Sequence, residues 1–153
     1  MILVLSACAG FLLAVLWMDL IFDAQVLRSA APDELPESVL VSIAGYYHRA
    51  TTTSRPMSGL IAAVMVVLLS ALVIGMIAGG DPGWVQAVSV VLAGVPILLA
   101  LLRTVPKARR LGRRCDSTAE QSRLARSIFR DHLFCFACML AFLALWLTQP
   151  AAV

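Results

Sequence analysis

The sequence predicts an all-α fold: an integral membrane bundle of four antiparallel helices that extend on the cytoplasmic side, forming a single transmembrane domain over residues 1–153. Two observations lead to this fold class. The chain is 61% hydrophobic and only 14% charged. A soluble domain of this size could not bury the apolar surface of so many hydrophobic residues. It also contains four uncharged or nearly uncharged runs that reach the roughly 18 residues needed to cross a bilayer. These runs cover residues 1–18, 57–80, 82–102 and 133–153.

The first helix is predicted over about residues 2–22. This run differs from a signal peptide because it has no positively charged start and no small-residue cleavage site in the usual place. Cys8 ends a Leu-Ser-Ala-Cys tetrapeptide that looks like a lipoprotein cleavage box, but no basic residue precedes it. We therefore expect the segment to remain as a membrane helix.

An additional helix on the cytoplasmic side is predicted over about residues 37–50. Pro32 and Pro36 break the chain before it, and Pro56 follows it. Proline is tolerated in a first helical turn but costs about 3 kcal/mol inside a helix. We therefore expect a break or kink just before the second span, which is predicted over 57–79.

Turn and cap signals delimit the last two spans. The run of glycine, aspartate and proline over 79–83 predicts a tight hairpin. The third span follows over about 84–104, with a kink at Pro96, and is expected to continue past Pro106. The fourth helix, about 118–147, should be near 45 Å long at 1.5 Å per residue. It exceeds the roughly 30 Å hydrocarbon layer, so its basic first turns should project into the cytoplasm.

The basic residues predict the orientation. All twelve Lys and Arg lie in the segments 28–55 and 103–130, away from both termini. Basic loops stay in the cytoplasm, so both termini are expected outside a cell inner (plasma) membrane that the chain crosses several times. Trp84 and Trp146 should then lie at the outer boundary, where indole rings prefer the headgroup layer.

The same charges indicate the partners. The net charge is +3, and basic clusters beside a membrane contact anionic lipid headgroups at about 1 kcal/mol per residue. We expect the lipid bilayer, a lipophilic small molecule and other membrane proteins as partners, and no nucleic acid.

Polar side chains gather near the predicted cytoplasmic boundary. Asp19 is the most informative, because apolar residues flank it within the first helix and an acid in a membrane must find a partner. Asp23 lies one turn later on the same face. One interpretation is a bridge from Asp19 to Arg103 or Arg130 that fixes the helix register. The other is a polar pocket between the helices for a small lipophilic or amphipathic molecule.

Metal and thiol chemistry are rival interpretations. Carboxylates and imidazoles suit iron or zinc, and four fall in this region: Asp19, Asp23, His48 and His132. The Glu-x-x-His pattern of di-iron bundles is not present. Cys135 and Cys138 form a CxxC pair, but thiols surrounded by hydrocarbon are inert, so packing is the expected role. We expect neither a metal nor a cofactor.

Three segments resemble a broad family of small four-helix membrane proteins that includes the fungal anthrone oxygenases. The segments are YYHRATTTSRPMSGLIA (46–62), VPKARRLG (105–112) and RLARSIFRDHLFCFACMLAFLAL (123–145). The Tyr-x-Arg-Ala pattern of the family is matched by Tyr47, Arg49 and Ala50, and the Arg at the start of its fourth helix is matched by Arg130.

This resemblance implies cofactor-independent oxygenation of an electron-rich phenolic molecule. Such a reaction needs a general base that forms a carbanion or phenolate able to react with oxygen. We predict Asp19 and His132 as catalytic residues. An anionic or phenolic ligand would be held by Arg49, Arg103, Arg130 and Tyr47. The alternative function is that of a non-enzymatic accessory or structural subunit of a membrane protein complex.

Overall fold

The computed structural model describes residues 1–28, 34–79 and 82–149, and all regular structure within these ranges is helical. The all-α prediction is confirmed. Within these ranges six α-helices follow one another: α1 Ile2–Asp23, α2 Glu37–His48, α3 Arg55–Ala78, α4 Gly83–Leu99, α5 Val105–Arg113 and α6 Thr118–Leu147.

In the part of the chain that the structure describes, four helical stretches are long and apolar enough to cross a membrane: Ile2–Leu27, Pro56–Ala78, Gly83–Arg113 and Thr118–Leu147. Their outward faces also carry apolar side chains, since Leu3, Ile77 and Leu102 are among the most exposed large hydrophobic residues. A helix that is hydrophobic on all sides is typical of a membrane span. The additional helix predicted over 37–50 is present as α2.

Prolines mark the junctions between helices, as predicted. Ser54 leaves the helical region with ψ at 45°, which separates α3 from the π-helical turn Arg49–Thr53. Pro56 lies in the first turn of α3, where a missing N–H breaks no hydrogen bond. At Pro106 the helix continues, through a second π-helical turn, Ala100–Thr104, into α5.

Two predicted turns lie partly outside the described residues. The breaker Pro32 falls within 29–33, and the hairpin over 79–83 includes residues 80 and 81. The described part of that hairpin begins at Gly79, which has a φ of 68° and donates its N–H to the carbonyl of Gly75. Glycine adopts this left-handed conformation without a steric cost and commonly ends a helix.

The larger core lies between α1, α3, α4 and α6, and its most extensive contact is between α1 and α6. Leu5, Val85 and Phe142 are fully buried there. Trp146 is 0% exposed, and its indole donates from Nε1 to Ser89 Oγ at 3.0 Å. The ring packs against α4, where a buried hydroxyl satisfies its polar N–H, and its place at the outer boundary stays a prediction. Trp84 is 62% exposed.

A second, smaller core lies between α2, α5 and the first turns of α6. Leu40, Ile43, Leu111 and Ile128 are fully buried within it. Gly112 allows α5 to lie directly against α2, because a Cβ at this position would come within 2.9 Å of the backbone nitrogen of His48.

Candidate functional site

The candidate site lies where α1, α2 and α6 meet, between the two cores. Its five side chains, here called the carboxylate–histidine cluster, come from these three helices: Asp19 and Asp23 of α1, Tyr46 and Tyr47 of α2, and His132 of α6. The two aspartates are one turn apart on the same helix. The cluster therefore links the first span, the helix that follows it and the last span.

The N-terminal end of α2 is fixed by contacts with the C-terminal half of the chain. The backbone N–H of Leu35 donates to Ser122 Oγ at 2.9 Å. Glu37, in the first turn of α2, accepts from Arg114 at 2.6 Å. At the other end of α2, the ring of Tyr46 stacks on Phe22 of α1 with 4.1 Å between the ring centroids. These contacts bring the two tyrosines to the aspartates.

His132 lies between the two carboxylates. Its Nδ1 is 2.7 Å from Asp23 Oδ2, and its Nε2 is 3.8 Å from Asp19 Oδ2. An ionised carboxylate only accepts hydrogen bonds, so the Nδ1 proton points to Asp23. In the neutral ring this leaves the lone pair of Nε2 on the side of Asp19. The Asp23 side chain is 0% exposed, whereas that of Asp19 is 17% exposed, so the cluster has a buried side and a more accessible side.

Each aspartate also accepts a hydrogen bond from a tyrosine. The hydroxyl of Tyr46 donates to Asp19 Oδ1 and that of Tyr47 donates to Asp23 Oδ1, both at 2.6 Å. Burial and the neighbouring carboxylates raise the pKa of both tyrosine hydroxyls well above the usual value of 10. Both hydroxyls therefore stay protonated and act as fixed donors, and such charge-assisted bonds are stronger than neutral ones.

A second charged group lies next to the cluster, around Asp131. Its Oδ2 accepts from Lys107 Nζ at 3.0 Å and is 3.6 Å from Arg103 Nε. Lys107 also donates to Ser127 Oγ at 2.6 Å. This group connects the C-terminal part of the helical stretch Gly83–Arg113 to α6. Asp19 takes no part in it.

The predicted site residues are only partly brought together. Asp19, Tyr47 and His132 meet in the cluster. The predicted bridges from Asp19 to Arg103 or Arg130 are wrong, because in the described structure Asp19 contacts Tyr46 and His132, and Arg103 pairs with Asp131. The physical reason is that the hydroxyl of half-buried Tyr46 and the imidazole of His132 already occupy the positions next to the Asp19 carboxylate.

The arginines predicted to hold a ligand lie outside the cluster. Arg49 and Arg130 are exposed, and Arg103 is drawn to a different acid. Asp23 and Tyr46 were not among the predicted catalytic or ligand-binding residues, but the structure places both inside the cluster. Two signals pointed to them: the spacing of Asp19 and Asp23, and the consecutive tyrosines at the end of α2.

Of the side chains considered for metal binding, Asp19, Asp23 and His132 meet in the cluster, and His48 lies outside it. Within residues 1–28, 34–79 and 82–149, no three His, Cys, Asp or Glu side chains are arranged to hold a metal ion. His48 is exposed at the other side of α2. Cys135 and Cys138 are free thiols, and buried Cys135 lies 3.8 Å from the carbonyl oxygen of Pro96, which supports a packing role.

The fold and the composition define the class: a helical membrane protein with four candidate spans, which crosses the bilayer several times. No family model, curated protein or solved structure matches the chain. The resemblance to the anthrone oxygenase family therefore stays a prediction that rests on the sequence segments alone.

Proposed function

We propose that the chain forms an antiparallel four-helix bundle in the inner (plasma) membrane, with both termini outside. We also propose that His132, in the carboxylate–histidine cluster, is a general base for a lipophilic phenolic molecule. The basic residues of α5 and of the first turns of α6 support this orientation, because basic loops stay in the cytoplasm. The cluster lies where these basic segments join the apolar spans.

One observation carries the catalytic proposal: His132 is held by Asp23 through Nδ1, at 2.7 Å, while Nε2 lies on the accessible side of the cluster. In many enzymes a carboxylate binds one ring nitrogen of a histidine and orients the ring, so that the other nitrogen can act as the base. Asp19, at 3.8 Å from Nε2, stabilises the imidazolium that forms when this nitrogen takes a proton.

The surroundings of Asp19 favour a lipophilic substrate. Trp17, Met18 and Ile21 precede and follow the acid on α1, and all three side chains are largely exposed on the outside of the helices. A molecule dissolved in the bilayer reaches the accessible side of the cluster along this apolar surface. Polar groups inside a membrane commonly mark such substrate sites.

The proposed reaction needs a base and molecular oxygen. His132 removes a proton from the acidic C–H or O–H of the substrate, and the resulting carbanion or phenolate gives its electrons to oxygen. For anthrone, one molecule of anthrone and one of oxygen yield one anthraquinone and one water, so carbon is oxidised and oxygen reduced. The proton that His132 holds is returned to the reduced oxygen as water leaves.

The test uses the full chain in phosphatidylcholine nanodiscs, with anthrone as the probe. Oxygen uptake and anthraquinone absorbance are measured against empty nanodiscs, which report the uncatalysed oxidation. We expect Asp19→Asn and His132→Gln to lower the rate by about 100-fold, within the range of general-base catalysis. Asp116→Asn is the matched control, because this acid pairs with Arg110 away from the cluster.

Two results would contradict the proposal. One is a rate no higher than that of empty nanodiscs. The other is an Asp19→Asn variant as fast as the unchanged chain. If the cluster variants lower only the melting temperature, the cluster serves to join α1, α2 and α6, as expected of a structural subunit of a membrane complex.

A further inference from the structure

A pocket separate from the carboxylate–histidine cluster opens between α2, α5 and the π-helical turn Arg49–Thr53. It has a volume of about 460 Å³ and is open to solvent on one side. Among the residues that the structure describes, its lining consists of His48, Thr51, Thr52, Arg109 and Arg113. None of these described lining residues is acidic, and the two arginines make the field of the pocket positive.

Two arginines on one face of α5 supply the charge. Arg109 and Arg113 are one helical turn apart and both line the pocket. The other basic side chains in and just after α5 are paired with acids: Lys107 with Asp131, Arg110 with Asp116, and Arg114 with Glu37. Arg109 and Arg113 form no such ion pair within the described residues, and like charges at this spacing repel each other. An anion between them would relieve that repulsion.

The backbone is arranged to bring these arginines to His48. The hydroxyls of Thr51 and Thr52 donate to the carbonyls of Tyr47 and His48, which holds the π-helical turn against the end of α2. Gly112 lies between the two arginines, and its missing side chain lets α5 approach the backbone of His48. The imidazole and the two guanidinium groups therefore line one pocket.

We propose that this pocket binds a phosphate group. Guanidinium groups form paired, charge-assisted hydrogen bonds with phosphate oxygens, and the exposed imidazole adds a further donor. The group comes either from the headgroup of an anionic lipid such as phosphatidic acid or from free phosphate. The volume lies in the range of small-molecule sites, and Arg113 is the last residue of the candidate span Gly83–Arg113, which suits a lipid headgroup.

The experiment has two arms. In the first, the full chain is reconstituted in nanodiscs of phosphatidylcholine with one-tenth phosphatidic acid, and native mass spectrometry counts the phosphatidic acid that stays bound after release. In the second, inorganic phosphate is titrated into the detergent-solubilised protein by calorimetry. Retention of phosphatidic acid over phosphatidylcholine indicates the lipid source, and binding of inorganic phosphate alone indicates the free one.

The variant Arg109→Gln/Arg113→Gln should reduce binding by about tenfold or more in whichever arm is positive, because it removes the charge-assisted bonds. Arg123→Gln is the matched control, since this arginine is exposed on α6 and does not line the pocket. His48→Gln should reduce binding of the anion by less than the double variant does. If the double variant does not fold, His48→Gln is the variant whose binding tests the proposal. Circular dichroism and gel filtration report folding.

Three outcomes would overturn the proposal. The first is no preference for phosphatidic acid together with no phosphate binding. The second is equal binding by the unchanged chain and a folded arginine variant. The third is an equal loss in the Arg123→Gln control, which would mean that general surface charge attracts the anion. The pocket does not include Asp19 or His132, so none of these outcomes bears on the anthrone assay.

Discussion

The two cores of this molecule differ in how their helices are held together. Between the four spans, the contacts are almost entirely apolar, and the buried bond from Trp146 to Ser89 is an exception. At the end formed by α2, α5 and the first turns of α6, each helix is also tied by charged or polar side chains, such as Arg114 to Glu37 and Lys107 to Asp131. Burial and packing therefore assemble the spans, whereas specific side-chain partners position the helices that follow them.

The largest expected effect is in the polar region. Asp23→Ala should lower the free energy of unfolding by about 3–5 kcal/mol, because it removes one partner of a buried pair and leaves His132 and Tyr47 without their acceptor. Thermal unfolding in detergent, followed by circular dichroism, measures this. Asp116→Asn serves as the comparison, since that acid lies in a partly exposed ion pair. Equal melting temperatures for the two variants would show that the cluster contributes little to stability.

The next effect concerns how closely α5 approaches α2. Gly112→Ala should destabilise the protein by about 1–3 kcal/mol, because the new Cβ would meet the backbone of His48 and one helix must shift. Gly59→Ala is a matched control on α3, where a Cβ would meet nothing within 4 Å. Alanine favours a helix over glycine, so the control should be neutral or slightly more stable. A Gly112→Ala chain as stable as the control would contradict the close approach.

A smaller loss is expected in the apolar region. Trp146→Phe keeps most of the ring but removes the hydrogen bond to Ser89, at a cost of about 1 kcal/mol. Trp84→Phe is the control, because this indole is exposed and not part of the larger core. Melting temperatures of the two variants in the same detergent give the comparison. If Trp84→Phe is the more damaging change, the buried bond does not stabilise the spans.

The smallest expected effect is the pH dependence of stability that the tyrosines cause, which is absent near neutral pH. Their pKa values are raised in the folded protein, so their stabilising contribution is complete below the unfolded pKa of about 10. It is lost as the pH rises from there toward the folded pKa. The melting temperature should therefore fall more steeply above pH 10 in the unchanged chain than in Tyr46→Phe/Tyr47→Phe. Parallel curves for the two proteins would show that the hydroxyls are not held as the structure indicates.

The helices were more predictable from the sequence than the site. Hydrophobic runs and prolines are local signals, and α6 begins and ends where they placed it, at Thr118 and Leu147. The partner of Asp19 was not predictable in this way. Arg103 and Arg130 were expected at a similar depth, but depth alone does not say which side of a helix a residue occupies. The orientation of α2 decides that Tyr46 reaches Asp19, and it depends on contacts with α5 and α6.

The carboxylate–histidine cluster is made from the two ends of the chain, since 109 residues separate Asp23 from His132 and 87 separate Leu35 from Ser122. During synthesis, the first helix and α2 leave the ribosome long before α6 exists. Asp19 and Asp23 are therefore made before their histidine, and α2 lacks its contacts with α6 until that helix is made. A chain stopped before α6 would have its tyrosines and acids but no imidazole between them, so translation to the final span is what completes the site.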